Sequence, residues 1–599
     1  MRASFDMEER DVNGVFAGQG KRCVGGFGGN GWRIGTFYLA VGGYTAASKQ
    51  CFMDAKVFIG RRGVWAFVLG CLGVTAGVLL HLPMFWMGRD MGFVLAGMPM
   101  DEGMLFGMFL IVAGIGVAAY GLLPAKIAPA TVQRVAVVAP EDAKLVLAHW
   151  GLMVVLVVAL IIDVMKPASL GFVMPGMTKE YGVAKSVAAL VPFFALIGTV
   201  VGSIVWGALA DIYGRKASIL LSAVMFVGTS ICGAMPSLAW NVGMCFLMGA
   251  AAGGMLPVTY ALLAETMPSR HRGWALVLVG GLGAVGGYFA ASLFSYLLVP
   301  TYSWRILWLM NLPSGLLLVV LGAFIPESAK FLLSRGRDAE AHKVMAHFGT
   351  VSHRLAEGEE DPVEVVGLMP HHHADDEPEP KLWTVGLIGK TAALSLAAIA
   401  WGLINFGLLL WLPADLAAKG YSIAVASKLL AESALIAFPT VFVCAFLYSR
   451  WSTKWSLVSL IVVTFLGLVG VLMLERGMAL SPVLPVGLLI LGSNGILAIL
   501  LPYTSESYPL NIRGRATGWV AACTKSGGVL AQSLSITALA PSMGAASMMI
   551  MVPMLITLGL FLRFGTETRG LDLRKLEVRP RKSAGKLPSG LGAGNSGEG

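Results

Sequence analysis

Fourteen apolar runs, each near the length of a membrane-crossing helix, order this chain. A span needs about 20 apolar residues, and that ruler picks out 64–87 and 104–123, then 145–176, 187–210, 217–235, 238–263, 274–299 and 304–325. A polar stretch at 326–384 interrupts the pattern. Six more runs follow at 385–412, 423–448, 455–474, 480–502, 516–539 and 547–564. No ten-residue alternating barrel segments occur, so the spans are expected to be helices and the fold class an all-α polytopic membrane protein. The domain plan is a glycine-rich basic leader (1–62), two helices (63–124), a linker (125–144), a six-helix bundle (145–325), a central loop (326–384), a second six-helix bundle (385–564) and a basic tail (565–599). Met53, ahead of Lys56, Arg61 and Arg62, is an alternative start of translation.

Composition narrows the class. Of 599 residues, 56% are hydrophobic and 13% charged, with a mean hydropathy of +0.75. A soluble chain carries about 25% charged residues, so a soluble enzyme, a disordered scaffold and a secreted domain are excluded for the chain as a whole. The net charge of +10 does not indicate nucleic acid, because the basic residues sit in short loops rather than along one stripe. Arg215, Lys216, Arg270, Arg272, Arg450, Lys454, Arg513 and Arg515 fall on one side, together with the long middle loop and the tail. Excess Lys and Arg mark the cytoplasmic side, which predicts a multi-pass protein of the plasma (inner) membrane with both termini in the cytoplasm.

Several signals carry no chemistry. The seven cysteines form no C-x-x-C pair, so neither a disulfide framework nor a zinc site is indicated. His371–His373 reads as a solvated loop, and no metal or other cofactor is expected. Gly26, Gly28 and Gly31 match G-x-G-x-x-G without the strand and helix that dinucleotide binding needs. Gly280, Gly281, Gly283, Gly286 and Gly287 lie inside a span, where close helix packing is the expected role. No G-x-x-x-x-G-K-[ST] motif for ATP-driven transport is present.

An internal repeat carries the most information. Glu265-Thr-Met-Pro-Ser-Arg-His-Arg272-Gly273 and Glu506-Ser-Tyr-Pro-Leu-Asn-Ile-Arg513-Gly514 share the pattern E-x-x-P-x-x-x-R-G. The segment Gly207-x-x-x-Asp211-x-x-Gly214-Arg215-Lys216 has a degraded echo at 445–454, and Glu327 after the sixth core helix pairs with Glu567 after the twelfth. Matching spacing in both halves means a parallel duplication of six helices, which places a small-molecule site between the halves near the bilayer midplane. Gly207 to Lys216 resembles the cytoplasmic loop signature of the major facilitator superfamily. The paired loops, with Pro326-Glu327-Ser328 and Glu567-Thr-Arg-Gly570, resemble its sugar-porter and aromatic-acid:proton-symporter branches, over about 145–576. The resemblance implies a twelve-helix fold to which the two N-terminal helices are extra. It also implies a cytoplasmic gate of Gly207, Asp211, Gly214, Arg215, Lys216, Glu265, Arg272, Glu327, Glu506, Arg513 and Glu567. Taken singly, each charge is equally a surface ion pair worth about 0–1 kcal/mol.

Charges inside spans point to the cargo. An ionisable side chain there costs about 2.5–3.5 kcal/mol and normally faces a cavity. Asp163 and Lys166 lie one turn apart on the first core helix, and the aromatic-acid symporters carry a second acid where Lys166 stands. A cavity-facing Lys166 would bind an anion; the alternative is a salt bridge with Asp163. Glu432 and Lys525 are the other ionisable candidates, Glu432 alternatively snorkelling with Lys428, and Trp401 and Asn405 are candidate cavity residues. Cys245 replaces an arginine of the related porters, and no proline lies between Gly280 and Tyr288, which argues against drug export. The expected function is secondary active transport by alternating access: proton-coupled uptake of a small, anionic organic metabolite. An uncoupled facilitator, an exporter and a non-transporting membrane ligand sensor are the alternatives.

Overall fold

A computed structural model describes residues 60–123, 135–138, 144–354, 386–478, 481–508, 510–537, 539 and 541–569. The leader up to residue 59, the triple histidine and the basic tail beyond residue 569 lie outside the described residues. Each predicted apolar run is helical. Among the described residues, twelve segments are long and apolar enough to cross a membrane: α1 (Arg62–Met91), α2 (Glu102–Leu122), α3 (Leu147–Tyr181), α4 (Lys185–Tyr213), α5 (Arg215–Ala234), α6 (Leu238–Thr266), α7 (Arg270–Tyr302), α9 (Ile388–Ala418), α10 (Ile423–Arg450), α11 (Thr453–Glu475), α12 (Val483–Ser507) and α14 (Met543–Phe564). Between them, α8 (Ile306–Gly322) is shorter, and α13 (Leu510–Ile536) is long but carries Arg515, Lys525 and Gln532. The polar content of α13 reflects its place beside a cavity.

Helix ends follow local chemistry. The Asp101 carboxylate accepts from the Met104 N–H at 2.7 Å to start α2, and the Ser452 hydroxyl accepts from the Trp455 N–H at 3.0 Å to start α11. Such side chains satisfy donors that the first helical turn leaves open.

Helices α3–α8 and α9–α14 form two bundles that meet along one seam. Across it, α7 packs on α10 and α12, α3 on α9, and α4 on α13. The glycines of α7 permit close packing both on α3 within the first bundle and across the seam, as expected. A Cβ at Gly287 would sit 2.6 Å from Val164 Cβ on α3, and one at Gly281 would sit 2.6 Å from Val441 on α10.

The pair α1–α2 docks on α5, on the side of the first bundle away from the seam. Phe67, Val74, Val78 and Ile111 pack there against Leu220, Val224 and Val227, so α5 is 94% buried along its apolar window. A buried charge cluster holds the connecting loop. Glu180 at the end of α3 pairs with Arg305 (2.6 Å) and accepts from the Leu95 and Ala96 N–H groups at 2.8 and 3.1 Å.

One feature departs from the all-helical expectation. Within the predicted linker and central loop, β1 (Val135–Val138) and β2 (Val351–Arg354) pair antiparallel, with Val135 opposite Arg354. Four uniformly apolar residues in a linker, Val-Ala-Val-Val, are too short and carry no alternation to announce a strand.

Candidate functional site: a cavity at the seam

A cavity of about 630 Å³ opens between the two bundles. The first bundle contributes Asp163, Thr199, Ser203 and Tyr288, and the second Trp401, Asn405, Asn494, Arg515 and Lys525, among mainly apolar neighbours. Four of the six residues expected to meet substrate or proton therefore share one space: Asp163, Trp401, Asn405 and Lys525. Asp163 comes from α3 and Lys525 from α13, so a carboxylate and an ammonium line the same cavity from opposite halves. Asp163 is 9% exposed and makes no hydrogen bond or ion pair with another described residue.

Lys166 and Glu432 lie elsewhere. Lys166 does not line the cavity; it is buried in the first bundle with its ammonium against the Phe226 ring. Three residues along a helix leave two side chains about 60° apart. Helix α3 sits at both the seam and the bundle interior, so that angle sends Asp163 to one and Lys166 to the other. Lys166 makes no ion pair with Asp163. Glu432 stands on the outer surface of α10, half exposed, with Lys428 Nζ 3.8 Å away. Its four-residue spacing from Lys428 makes a surface pair, and it is remote from the cavity.

The α9 wall is irregular where it meets the cavity. Residues Ile404–Leu408 form a π-helical turn, a feature that inserts one residue and re-aims side chains. Gln532 of α13 donates to the Phe406 carbonyl of this turn. The Phe406 ring packs edge-on to Trp401 at 5.6 Å, and Lys525 Nζ lies 5.5 Å from its centroid. Tyr288 and Asn494 also line the cavity, and the sequence reading missed both. A lone amide between Gly492 and Gly495 in an apolar span was a usable signal for Asn494; nothing local distinguishes Tyr288 from a packed tyrosine.

The predicted gate residues gather at one end of the bundle. In the first half, Arg215 pairs with Glu265 at 2.6 Å, and Ser328 donates to Glu265. Glu327 Oε1 accepts from the Arg215 and Lys216 N–H groups at 2.9 and 3.4 Å, at the positive end of α5. Gly214 (φ 103°) leaves the chain in a conformation in which a Cβ would meet the Glu327 carboxylate. Lys216 Nζ donates to the Ala323 carbonyl, and Arg335 donates to the Asp211 and Ile212 carbonyls.

The second half repeats the scheme. Glu567 Oε1 accepts from the Thr453 N–H at 2.9 Å at the start of α11, and Glu506 accepts from Tyr448 and Thr568. These contacts stay within one half, whereas Gly273, beside Arg272, abuts Tyr448 and Glu506 across the seam. Gly207 lies on α4 within this end, and the Arg513 side chain lies outside the described residues.

Comparison with known proteins agrees with this geometry. The family model of the Major Facilitator Superfamily matches residues 152–532. The chain is 25% identical over 438 residues to the niacin transporter NiaP of Acinetobacter baylyi, covering 72% of this chain and 96% of the relative. It is 25% identical over 407 residues to the 4-hydroxybenzoate transporter PcaK of the same organism, covering 65% and 84%. Its fold matches the proton:xylose symporter XylE with a TM-score of 0.56 at 15% identity, over 72% of this chain and 98% of that one. Two six-helix bundles, a repeated charged loop and a seam cavity are thus accounted for together: this chain is an integral, multi-pass membrane transporter, not an enzyme, and it belongs to the Major Facilitator Superfamily.

Proposed function

We propose that this transporter takes up small aromatic or heteroaromatic monocarboxylates across the plasma (inner) membrane together with a proton. One observation carries the reading: a carboxylate and an ammonium, Asp163 and Lys525, face the same cavity from opposite halves. The niacin and 4-hydroxybenzoate transporters to which the chain is similar support an aromatic acid as cargo, and the apolar walls suit its ring.

The coupling follows from charge. Without cargo, Lys525 offsets the Asp163 carboxylate. A substrate carboxylate entering the cavity competes for Lys525 and leaves Asp163 as an uncompensated charge in a poorly solvated place. Such a group binds a proton, so anion and proton enter together and the loaded cavity carries the same net charge as the empty one. Release of the anion returns Lys525 to Asp163 and expels the proton. Trp401 and Asn405 contact the cargo, and Glu432 takes no part. The Arg215–Glu265 pair and its repeat stiffen each half at the charged end, which the positive-inside rule makes cytoplasmic. Both ends of the twelve-helix core then face the cytoplasm.

The test is uptake of labelled pyridine-3-carboxylate into proteoliposomes under an imposed pH gradient. Accumulation is expected in the parent protein and is expected to collapse when a protonophore is added. Asp163→Asn should abolish gradient-driven accumulation but keep exchange of internal for external substrate, and Lys525→Met should lose both. Uptake indifferent to the gradient would leave an uncoupled facilitator.

A further inference from the structure

The cavity contains hydrogen-bonding groups that the protein itself leaves unused. Among the described residues, Trp401 Nε1 and Asn405 Nδ2 are buried and have no hydrogen-bond partner. Both belong to α9 and both line the cavity. Trp401 lies just before the π-helical turn and Asn405 within it, and both side chains reach the same cavity. An indole N–H can only donate, and a buried donor left unmade costs free energy, so the pair is complementary to an acceptor on whatever fills the space.

That acceptor is separate from the group that meets Lys525. The Phe406 ring carries both neighbours, with Trp401 packed against it edge-to-face and the Lys525 ammonium on it as well. The ring fixes the cation and the indole as two distinct stations, and the π-helical turn Ile404–Leu408 with its Gln532 hydrogen bond fixes the ring.

We propose that Trp401 and Asn405 are specificity-determining residues that select aromatic monocarboxylates bearing a second acceptor on the ring, a ring nitrogen or a hydroxyl, over unsubstituted ones. This deepens the uptake reading above and rests on it. A site built to hydrogen-bond a substrate group discriminates strongly against the analogue that lacks it, because its own donors are then buried unpaired.

The experiment measures binding of benzoate, 4-hydroxybenzoate and pyridine-3-carboxylate to the full-length purified protein, by thermal shift titration. The parent protein should prefer the latter two by about tenfold or more. Trp401→Phe and Asn405→Leu should each reduce that preference to about threefold or less, because affinity for the two acceptor-bearing acids falls further than affinity for benzoate, and the cooperative melting of each unliganded variant shows that it is folded. Lys525→Met should weaken all three acids alike. Equal affinity of the parent for the three acids, or a preference that survives in both variants, overturns the donor-pair assignment even though the acids bind. If none of the three binds the parent protein, the uptake reading itself fails and takes this inference with it.

Discussion

Glu327 and Glu567 hold the same place in the two repeats, each carboxylate resting on the first N–H groups of a helix, yet their acidities diverge. Burial raises the pKa of Glu327 more than its backbone hydrogen bonds and Arg215 lower it. At the more open Glu567, burial also pushes upward, but hydrogen bonds from Ser452, Thr453 and the Arg569 N–H outweigh it and hold the carboxyl at about 2. A depressed carboxylate contributes stability that is present above its ordinary value of 4.5 and is lost as pH falls from there towards about 2. Glu567→Gln should therefore lower the melting temperature near neutrality and narrow the gap to the parent protein on acidification through that window. A second prediction concerns Gly214. Its φ of 103° disfavours any side chain and a Cβ would meet Glu327, so Gly214→Ala should destabilise the first bundle by about 1–3 kcal/mol, read from thermal unfolding.

At the scale of elements, the N-terminal pair α1–α2 behaves as part of the first bundle. It packs on α5, and its connecting loop is held by Glu180, which also meets Arg305 and the Trp304 indole. Arg305 is fully buried and donates to the Gly233 and Met235 carbonyls as well. Removing one partner of a buried ion pair costs about 3–5 kcal/mol, because the other charge is left uncompensated. Glu180→Ala should lower the melting temperature strongly and accelerate hydrogen exchange at the Leu95 and Ala96 amides. Unchanged exchange there would mean that the apolar α5 contact alone seats the pair. The cluster was hard to foresee, since Glu180 and Arg305 are 125 residues apart and each reads as an ordinary loop charge.

Over the whole molecule, the cavity reaches Arg515 towards the charged end and is closed at the other, where α3 meets α9. About one turn beyond Ala168, a Cβ on Gly171 would approach the Leu410 carbonyl to 2.8 Å. Alternating access requires this contact to open and reform. Gly171→Trp should prop the two halves apart there, preserving acid binding by thermal shift and abolishing net flux in proteoliposomes. Much of this plan was legible beforehand. Span lengths follow from the thickness of the lipid core, and the repeat from motifs 241 residues apart (265 to 506), so helix number, duplication and the gathering of the repeated loop charges at one end were all readable in one dimension. Which face of each helix meets the seam was not, because apolar spans look alike all round when lipid and protein interior are equally apolar. Asp163 and Lys166, three residues apart, illustrate that limit: only the packing of α3 between seam and bundle interior separates the residue that shares a cavity with Lys525 from the one buried against Phe226.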